Sequence, residues 1–423
     1  MLFRSSTISS DRPFSVTSTA SRFSVSAKEL SGFSVGSVTH YLPVIVARGQ
    51  GGKSREGIAA PRAELTHIMS LEDLRQRIDT IDEQLVTLLN QRAEVSLEVG
   101  RQKADTKSAR YFAPERERDL VERLMQLRGA GAMPQASLLA VYREIISASI
   151  ALQKPMTVAY WGPPGTFTEM AAVSRFGSST GYYDCATIPD VFGEVERGRA
   201  DYGVVPVENS TEGVVNYTLD MFHETSLKIC AEIYVTIVQN LLTHAKSLSD
   251  IQRLYTGPQP LAQSRQWIDS HLPHAEIIEV MPTSKAAERA AADPNGAAIA
   301  PKRSSEVYGV PILHDSIEDS PHNRTRFLVI GRNEPPPTGR DKTSALFAVK
   351  NEPGSLGRAL RAFETHNVNL SMIASRPSRN AAWEYVQFAD FQGHENDEPV
   401  KAALQTLRSH SIYVNVLGSY PEG

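Results

Sequence analysis

The sequence predicts a multidomain protein in which an all-α module, an α/β module and a ferredoxin-like α+β module follow one another. Apolar residues recur at alternating steps of three and four between positions 71 and 99, which is typical of a helix packed against other helices. From Thr157, short apolar runs alternate with helical stretches, as in an α/β domain. After residue 343 the order strand, helix, strand, strand, helix, strand indicates the ferredoxin-like βαββαβ arrangement.

Length and composition set the limits of the interpretation. A chain of 423 residues is too long for one compact core. We place the helical module at 69–155, the α/β module at 156–333 and the last module at 343–423, with a Pro-rich linker over Asn333–Lys342. The formal charge of -4 gives no electrostatic reason to expect a nucleic-acid partner, and no apolar run is long enough to span a membrane.

The two cysteines, Cys185 and Cys230, lack the CxxC pairing of a zinc site or a disulfide framework. Neither a metal nor a cofactor is therefore expected, and a reducing compartment fits this composition. Residues 1–68 differ from the rest, because they are rich in serine and contain FSV three times. They fit an organelle transit peptide, or a disordered tail or upstream sequence. We favour the second interpretation and leave the segment out of the fold.

The helical module raises a question at Arg92. Three helices are expected, from about Leu71 to Ala104, Glu115 to Arg128 and Pro134 to Gln153. The spacing of the apolar residues that form the seam of the first helix predicts another apolar side chain at position 92, but the residue there is Arg92. A buried cation needs an anionic partner. That partner is either a glutamate of a facing helix or a bound anion, unless the seam is locally splayed.

Other polar residues at inward positions favour a bound anion. Lys103 follows Arg92 by eleven residues, close to three helical turns, on the same face. The second helix supplies Arg116 and Glu117, and the third places Ser149 and Gln153 where apolar residues are expected. Such a pocket suits a small anion with more than one carboxylate, because guanidinium groups bind carboxylates bidentately. No nucleophile–base pair is visible, so a reaction that only redistributes charge fits best.

These motifs resemble the chorismate mutases of the all-helical class. The resemblance lies in LRQRIDTIDEQLVTLLNQR, EVGRQK and ERERDLVERL and extends over Leu71 to Gln153. It implies rearrangement of chorismate to prephenate without a covalent intermediate. It further implies that Lys103 and Gln153 donate to the ether oxygen of the substrate, and that Glu117 holds its hydroxyl. The residues that it implies for binding the substrate carboxylates are Arg75, Arg92, Arg116 and Ser149.

Arg75 adds a geometric requirement. It precedes Arg92 by 17 residues, so about 25 Å of helix separates the two and they cannot reach one ligand from one chain. The family solves this with an intertwined dimer, and we predict a homodimer here. Two alternatives remain for the module: a coiled-coil dimerisation device, and a pocket that only senses a ligand.

Three polar stretches at strand ends indicate a cleft in the α/β module. They are AYWGPPGTFTEMAA from Ala159, where a helix N-terminus could receive a carboxylate, GVVPVENSTEGVV from Gly203 and DSPHNRTRFLVIG from Asp319. Together they resemble the prephenate dehydratases, with NRTRF the most specific part. The resemblance implies two α/β lobes like those of periplasmic binding proteins, with the site between them, and conversion of prephenate to phenylpyruvate. It implies that Thr325 donates to the leaving hydroxyl, that Arg326 offsets substrate charge and that Asn209 orients the substrate. Thr256 and Gln263 match positions that the family uses for a hydroxyl and an amide.

The C-terminal module carries no acid–base cluster, so catalysis is not expected there. NEPGSLGRALRAFETHNVNLSMIASRPS resembles the ACT domains of phenylalanine-pathway enzymes. The resemblance implies feedback inhibition by L-phenylalanine bound at a dimer interface, with Ala374 standing where the family has an acid. The implied binding residues are Gly354, Ser355, Leu356, Ser375, Arg376 and Pro377. The alternative is a purely structural domain that aids dimerisation.

The sequence thus predicts a cytoplasmic enzyme that carries both activities, with chorismate and prephenate as substrates. One alternative is a dehydratase that prefers arogenate. The other is a ligand-sensing protein without catalysis, because two-lobed and ACT-like modules bind small molecules elsewhere.

Overall fold

The computed structural model describes residues 69–104, 110–377 and 385–423. The N-terminal segment of residues 1–68, for which a tail or a transit peptide is predicted, lies outside the described residues. In the part that the structure describes, the helical module contains α1 (Leu71–Ala104), α2 (Pro114–Arg128) and α3 (Gln135–Gln153). Ser70 caps α1, since its hydroxyl accepts from the Asp73 amide at 3.1 Å while the Asp73 carboxylate accepts from the Ser70 amide at 3.0 Å.

The C-terminal half of α1 packs closely on α3. A β-carbon at Gly100 would lie 2.8 Å from the Cα of Gln153, so only glycine permits this approach. Among the described residues, the N-terminal half of α1 has no such partner, and its apolar face is open to solvent. Leu71 is 65% exposed, Ile78 57% and Leu88 60%.

The α/β module is built as two lobes, and the chain passes from the first to the second and back. The elements of the first lobe are β1 (Thr157–Trp161), α4 (Phe167–Phe176), β2 (Gly181–Cys185), α5 (Ile188–Glu196), β3 (Tyr202–Asn209), β4 (Gly213–Val214), α6 (Asn216–Met221), β5 (Lys228–Thr236) and the returning β11 (Arg324–Gly331). Its sheet has the order β2-β1-β3-β11-β5, with β4 paired to β3. Strand β11 runs antiparallel to both of its neighbours.

The second lobe is a separate five-stranded sheet with its own helices. Its elements are β6 (Asn240–Thr243), a 3-10 helix (Leu248–Asp250), β7 (Arg253–Thr256), α7 (Pro258–Gln263), α8 (Arg265–His271), β8 (Glu276–Glu279), α9 (Thr283–Ala291), β9 (Gly296–Ala300), α10 (Lys302–Tyr308) and β10 (Ile312–His314). The strand order is β10-β6-β9-β7-β8. The two-lobed arrangement that the resemblance implies is confirmed.

The C-terminal module has the predicted βαββαβ order. Its elements are β12 (Asp341–Ala348), α11 (Ser355–Thr365), β13 (Leu370–Pro377), β14 (Tyr385–Gln392), α12 (Glu398–His410) and β15 (Tyr413–Pro421). The sheet order is β13-β14-β12-β15. Helices α11 and α12 cover one face of this sheet, and the other face packs against the first lobe through a shared apolar core that contains Leu346, Phe388 and Leu417.

The first lobe and the C-terminal module approach each other most closely where β15 lies beside β5. Gly418 has a φ of +151°, and a β-carbon there would meet the backbone of Ile229. The sheet of one domain therefore rests almost directly on the sheet of the other. Among the described helices, none combines the length and the apolar character needed to cross a membrane.

Candidate active sites

A cavity of about 270 Å³ lies among the three helices of the bundle, beside the C-terminal half of α1. Six residues that the sequence predicts for one pocket line it together: Arg92, Lys103, Arg116, Glu117, Ser149 and Gln153. The spacing argument therefore places the correct faces of α1, α2 and α3 toward one another. The cavity walls between these polar groups are apolar and include Val95, Val99 and Ile150.

Arg92 has no carboxylate partner among the described residues. Its guanidinium donates to the Ser149 hydroxyl and to the carbonyl of Ile145, the latter at 3.3 Å. Ser149 in turn donates to the same carbonyl at 2.6 Å. Burial lowers the pKa of Arg92, and the nearby Arg116 lowers it further against a raising effect of Tyr142. The cation in the seam is thus held by neutral groups, which leaves its charge available to an anion.

Lys103 stands at the opposite end of the same cavity. Its ammonium donates to the side-chain oxygen of Gln153 at 3.1 Å and lies 5.3 Å from the centre of the Tyr111 ring. Burial lowers the pKa of Lys103, and Arg116 and Arg110 lower it further. Three cationic groups facing one small cavity create a positive potential that suits a dianion.

Glu117 is the one acid that lines this cavity in the part of the chain that the structure describes. Burial raises the pKa of its carboxyl, while Arg175 and Arg143 act in the opposite direction. The carboxylate is paired with Arg175 of α4 at 3.1 Å. Because α4 belongs to the first lobe, this contact joins two domains, and no local sequence pattern predicts it.

Arg75 lies outside the cavity. Its side chain is 65% exposed and contacts only the carboxylate of Glu72 at the long distance of 3.9 Å among the described residues. In the folded chain, the length of α1 therefore keeps Arg75 away from the Arg92 site, as the residue spacing predicts. Within one chain the structure brings together every predicted mutase residue except this one.

Strands β3 and β11 bring Asn209 and Thr325 face to face. They are direct partners in the antiparallel register, and the Asn209 amide donates to the Thr325 hydroxyl oxygen at 2.8 Å and to the Asn323 side-chain oxygen at 2.9 Å. The Asn209 oxygen accepts from the amide and hydroxyl of Thr211, which fixes its orientation. Since the Thr325 oxygen accepts from Asn209, its own proton points elsewhere, and no described group accepts it.

Gln263 belongs to the contact between the two lobes. Its amide donates to Glu212 of the first lobe at 3.0 Å, and its oxygen accepts from Gln239 at 3.0 Å. Thr256 is completely buried at the end of β7, where its hydroxyl donates to the Gly257 carbonyl at 3.1 Å. No described contact joins Thr256 to Thr325.

The turn before α4, which could receive a carboxylate, binds an acid of the protein itself. Thr166 caps α4 by accepting from the Glu169 amide at 3.3 Å, and the Gly165 amide donates at 2.6 Å to the Glu169 carboxylate. Glu169 also pairs with Arg303 of the second lobe at 3.0 Å. A buried protein acid therefore occupies this turn and helps to hold the lobes together.

Two amide side chains near Thr325 were not assigned a role from the sequence. Asn323 is 2% exposed, and its Nδ2 has no described hydrogen-bond partner. Gln239 is 1% exposed, and its side-chain oxygen likewise has no described partner. Buried polar groups are almost always paired, so unpaired ones beside a proposed site suggest contacts made only with a ligand. Asn323 lies in the NRTRF stretch, whereas Gln239 lies in an apolar run with no signal of its own.

Arg326 does not reach this cleft. Side chains alternate along a strand, so Arg326 projects from the face of β11 opposite Thr325. It is buried among Glu232 at 2.8 Å, Asp390 and the Tyr420 hydroxyl at 2.9 Å. The expectation that Arg326 offsets substrate charge is therefore corrected, because its guanidinium is fully engaged between the first lobe and the C-terminal module.

The predicted effector residues of the C-terminal module fall into two groups. Gly354 immediately precedes α11 with a φ of +79°, Ser355 accepts from Arg358 at 3.0 Å, and Leu356 is partly exposed. On β13, the Ser375 hydroxyl donates to Gln387 at 2.5 Å. No described contact joins the two groups within one chain.

The next residues of β13 face the first lobe. Arg376 pairs bidentately with Asp220 of α6 at 3.0 and 3.1 Å. Ala374 packs against the core shared with the first lobe, while Pro377 ends the strand. An acid at position 374 would therefore point toward the dehydratase lobe in this chain.

No three His, Cys, Asp or Glu residues of 69–104, 110–377 and 385–423 cluster as metal ligands would.

Comparison with known proteins identifies three consecutive families. Residues 74–154 match the model of chorismate mutase type II, residues 158–335 that of prephenate dehydratase, and residues 343–409 that of the ACT domain. A protein of Aquifex aeolicus named bifunctional chorismate mutase/prephenate dehydratase is 47% identical over 355 residues, which cover 83% of this chain and 98% of that protein. A protein of the same name from Pseudomonas aeruginosa is 42% identical over 357 residues, with the same coverage.

A solved structure agrees with these matches over the last two modules. The prephenate dehydratase of Arthrobacter aurescens, solved in complex with L-Phe, is 34% identical and superposes with a TM-score of 0.59. The match covers 63% of this chain and 90% of that one.

Proposed function

The chain belongs to the bifunctional chorismate mutase/prephenate dehydratases, and from that membership we propose which of its residues carry each reaction. The enzyme rearranges chorismate to prephenate and then removes water and carbon dioxide from prephenate to give phenylpyruvate. The family models and the relatives carry prephenate in their names, which favours it over arogenate as substrate. We further propose the cytoplasm as the site of this biosynthesis.

The mutase reaction takes place in the cavity of the helical bundle. Arg92 and Arg116 bind the two carboxylates, with Ser149 holding the Arg92 guanidinium in place. The Lys103 ammonium donates to the Gln153 side-chain oxygen. The Gln153 amide protons and the remaining ammonium protons therefore serve to donate to the ether oxygen of the substrate. Negative charge grows on that oxygen as the carbon–oxygen bond breaks, and preplaced donors stabilise it at that moment. Glu117 accepts from the substrate hydroxyl.

The dehydratase reaction takes place where β3 and β11 face the second lobe. Asn209 donates to the Thr325 oxygen, which leaves the threonine proton for the departing hydroxyl of prephenate, and solvent returns a proton to the threonine oxygen once the products leave. Loss of carbon dioxide supplies the electron pair that expels this hydroxyl, and formation of the aromatic ring drives the step. Gln263 and Glu212 bridge the lobes over the site and so exclude water during the reaction.

The observation that carries the mutase assignment is the convergence of six predicted polar residues on one cavity. The test uses the full chain with chorismate as its sole substrate. We expect loss of the diene absorbance of chorismate, transient prephenate and accumulation of phenylpyruvate. A ligand-sensing protein without catalysis would leave chorismate unchanged. A chain with only mutase activity would accumulate prephenate, and a chain with only dehydratase activity would act only on added prephenate.

The exposed seam of α1 supports a homodimer in which Arg75 completes the mutase site of the partner. Coexpression of an Arg75→Ala chain with an Arg92→Ala chain tests this. Each variant alone is expected to lose most mutase activity, whereas mixed dimers contain one intact site, giving about a quarter of the wild-type activity in a random mixture. Arg77→Ala, an exposed change two residues away, serves as the matched control and should leave the activity unchanged. Full activity of Arg75→Ala alone would exclude the shared site.

We propose that L-phenylalanine binds the C-terminal module and inhibits the dehydratase. The Arg376–Asp220 ion pair supports this, because it links the effector strand β13 to the lobe that holds Asn209 and Thr325. Calorimetry is expected to show saturable heat with L-phenylalanine and none with D-phenylalanine, together with slower phenylpyruvate formation. If the module is purely structural, neither enantiomer will release heat at millimolar concentration.

A further inference from the structure

The acid of the mutase cavity is paired with a residue of the dehydratase domain. Glu117 on α2 and Arg175 on α4 lie 3.1 Å apart, with side chains that are 16% and 26% exposed. Helix α2 belongs to the bundle and α4 to the first lobe. The ion pair thus lies half-buried at a domain boundary and touches the proposed mutase site on one side.

We propose that Arg175 is a positioning residue for the mutase reaction, which holds the Glu117 carboxylate in the orientation and charge state needed to accept the substrate hydroxyl. This proposal rests on the role of Glu117 in the proposed function. It makes the first lobe of the dehydratase part of the mutase site. The rearrangement of chorismate then depends on correct docking of two domains of the same chain.

The surroundings of Arg175 fix the position of its guanidinium. The Phe112 ring lies 5.0 Å from the guanidinium carbon, and Phe112 packs against Phe176, the residue next to Arg175. The Nε of Arg175 is buried without a described partner. Among the described residues, Glu117 is the only acid that forms an ion pair with Arg175. A side chain that gives up hydration for one ion pair depends strongly on that partner.

Glu117 also separates two cavities. It lines the mutase cavity, and it lines a second cavity of about 440 Å³ between the bundle, α4 and the chain end at Gly423. Ile146 and Ile150 complete the shared wall. Arg175 approaches the carboxylate from the second cavity, so a substrate in the first can still meet the same carboxylate.

Electrostatics gives Arg175 a second effect on Glu117. Charged groups of several elements surround this carboxylate across the two cavities. They are Arg92 and Lys103 on α1, Glu115, Arg116, Arg118 and Glu122 on α2, Arg143 on α3, Arg175 on α4, Glu232 on β5, and Arg340 and Glu422 near the chain end. Burial raises the pKa of Glu117, and Arg175 is the strongest of the opposing influences. An ionised carboxylate accepts a hydroxyl proton better than a neutral acid, so removal of Arg175 should favour the less useful form at low pH.

The test compares Arg175→Gln with Arg175→Lys in the full chain. Arg175→Gln is expected to lower mutase kcat/KM by roughly tenfold at neutral pH and to move the acidic limb of its pH profile upward by about one unit. Arg175→Lys should restore most of both losses. Arg199→Gln, which removes a largely exposed cation from its pair with Glu194 in the same lobe, is the matched control and should change neither. Phenylpyruvate formation from added prephenate should stay at the wild-type rate in all three.

Two outcomes would overturn the inference. If Arg175→Gln keeps the wild-type pH profile and kcat/KM, Arg175 is only structural; if it raises the activity, the ion pair restrains Glu117 instead of positioning it. Glu117→Gln separates this from failure of the proposed function. That variant should lose mutase activity and its acidic limb, and if it remains fully active, the role given to Glu117 itself is wrong.

Discussion

Replacement of Thr325 by alanine is expected to lower the kcat of phenylpyruvate formation by roughly 10²–10⁴-fold, the range typical of removing a positioned proton donor. The physical reason is the arrangement on β3 and β11, in which Asn209 occupies the threonine oxygen at 2.8 Å and leaves its proton for the leaving group. Without that hydroxyl, the departing oxygen must leave as hydroxide. The mutase should be unaffected, because bundle residues line its cavity and the lobe residue that contacts its Glu117 is Arg175 on α4, not Thr325 on β11.

Three measurements define the result for Thr325. The rates of chorismate loss and phenylpyruvate formation are followed in the same reaction, so that the mutase reports on folding. Thr325→Ser keeps the hydroxyl and should retain most of the activity. Thr236→Ala removes a neighbouring hydroxyl from β5, the strand paired with β11, and should have little effect. A Thr325→Ala enzyme that works within a factor of two of wild type would show that water or another side chain donates the proton.

The parts of the mutase site that lie within one helix face were predictable from the sequence. Helical periodicity places Arg92 and Lys103 on one side of α1, and Ser149 and Gln153 on one side of α3, whatever surrounds them. The βαββαβ order of the last module was also predictable, since period-two and period-3.6 patterns alternate clearly there. These features are local, so the chain within a few turns determines them.

Contacts between domains could not be predicted in this way. The partner of Glu117 is Arg175, 58 positions later by residue number, and no periodicity relates the two. Arg326 shows the same limit more sharply. The motif that contains it indicated a site residue, yet neighbouring residues on a strand project to opposite faces. Which face meets the cleft depends on how β11 sits in its sheet and on what covers the other side.

The opposite face of β11 is covered by a buried ionic network at the boundary with the C-terminal module. Arg326 contacts Glu232 of β5 and Asp390 of β14, and Lys342 of β12 also contacts Glu232 at 2.8 Å. Burial alone would raise the pKa of Glu232, but Arg326 and Lys342 hold it below its ordinary value. The four side chains are at most 8% exposed, so none of them can exchange its partner for water.

Replacement of Arg326 by methionine is therefore expected to lower the free energy of unfolding by about 3–5 kcal/mol at neutral pH, because two buried acids lose a shared cation. The loss should shrink in acid. A carboxyl with a depressed pKa contributes stability above its unfolded value of about 4.5, and this contribution disappears as the pH falls through the lower folded value. In the variant the Glu232 pKa rises, so the acid protonates sooner and the cost of its unpaired charge is relieved.

Urea denaturation of the full chain at neutral pH and near pH 4 measures the effect of Arg326→Met. Arg199→Met removes a largely exposed cation of the same lobe, whose partner Glu194 keeps a second ion pair with Arg197, and should cost far less than Arg326→Met. Adding Asp390→Asn to Arg326→Met should recover part of the loss, because one of the two orphaned charges is then neutral. A single variant as stable as wild type at neutral pH would mean that water reaches these acids in solution. If Arg326→Met loses more unfolding free energy near pH 4 than at neutral pH, the unpaired carboxylates are not the source of the loss.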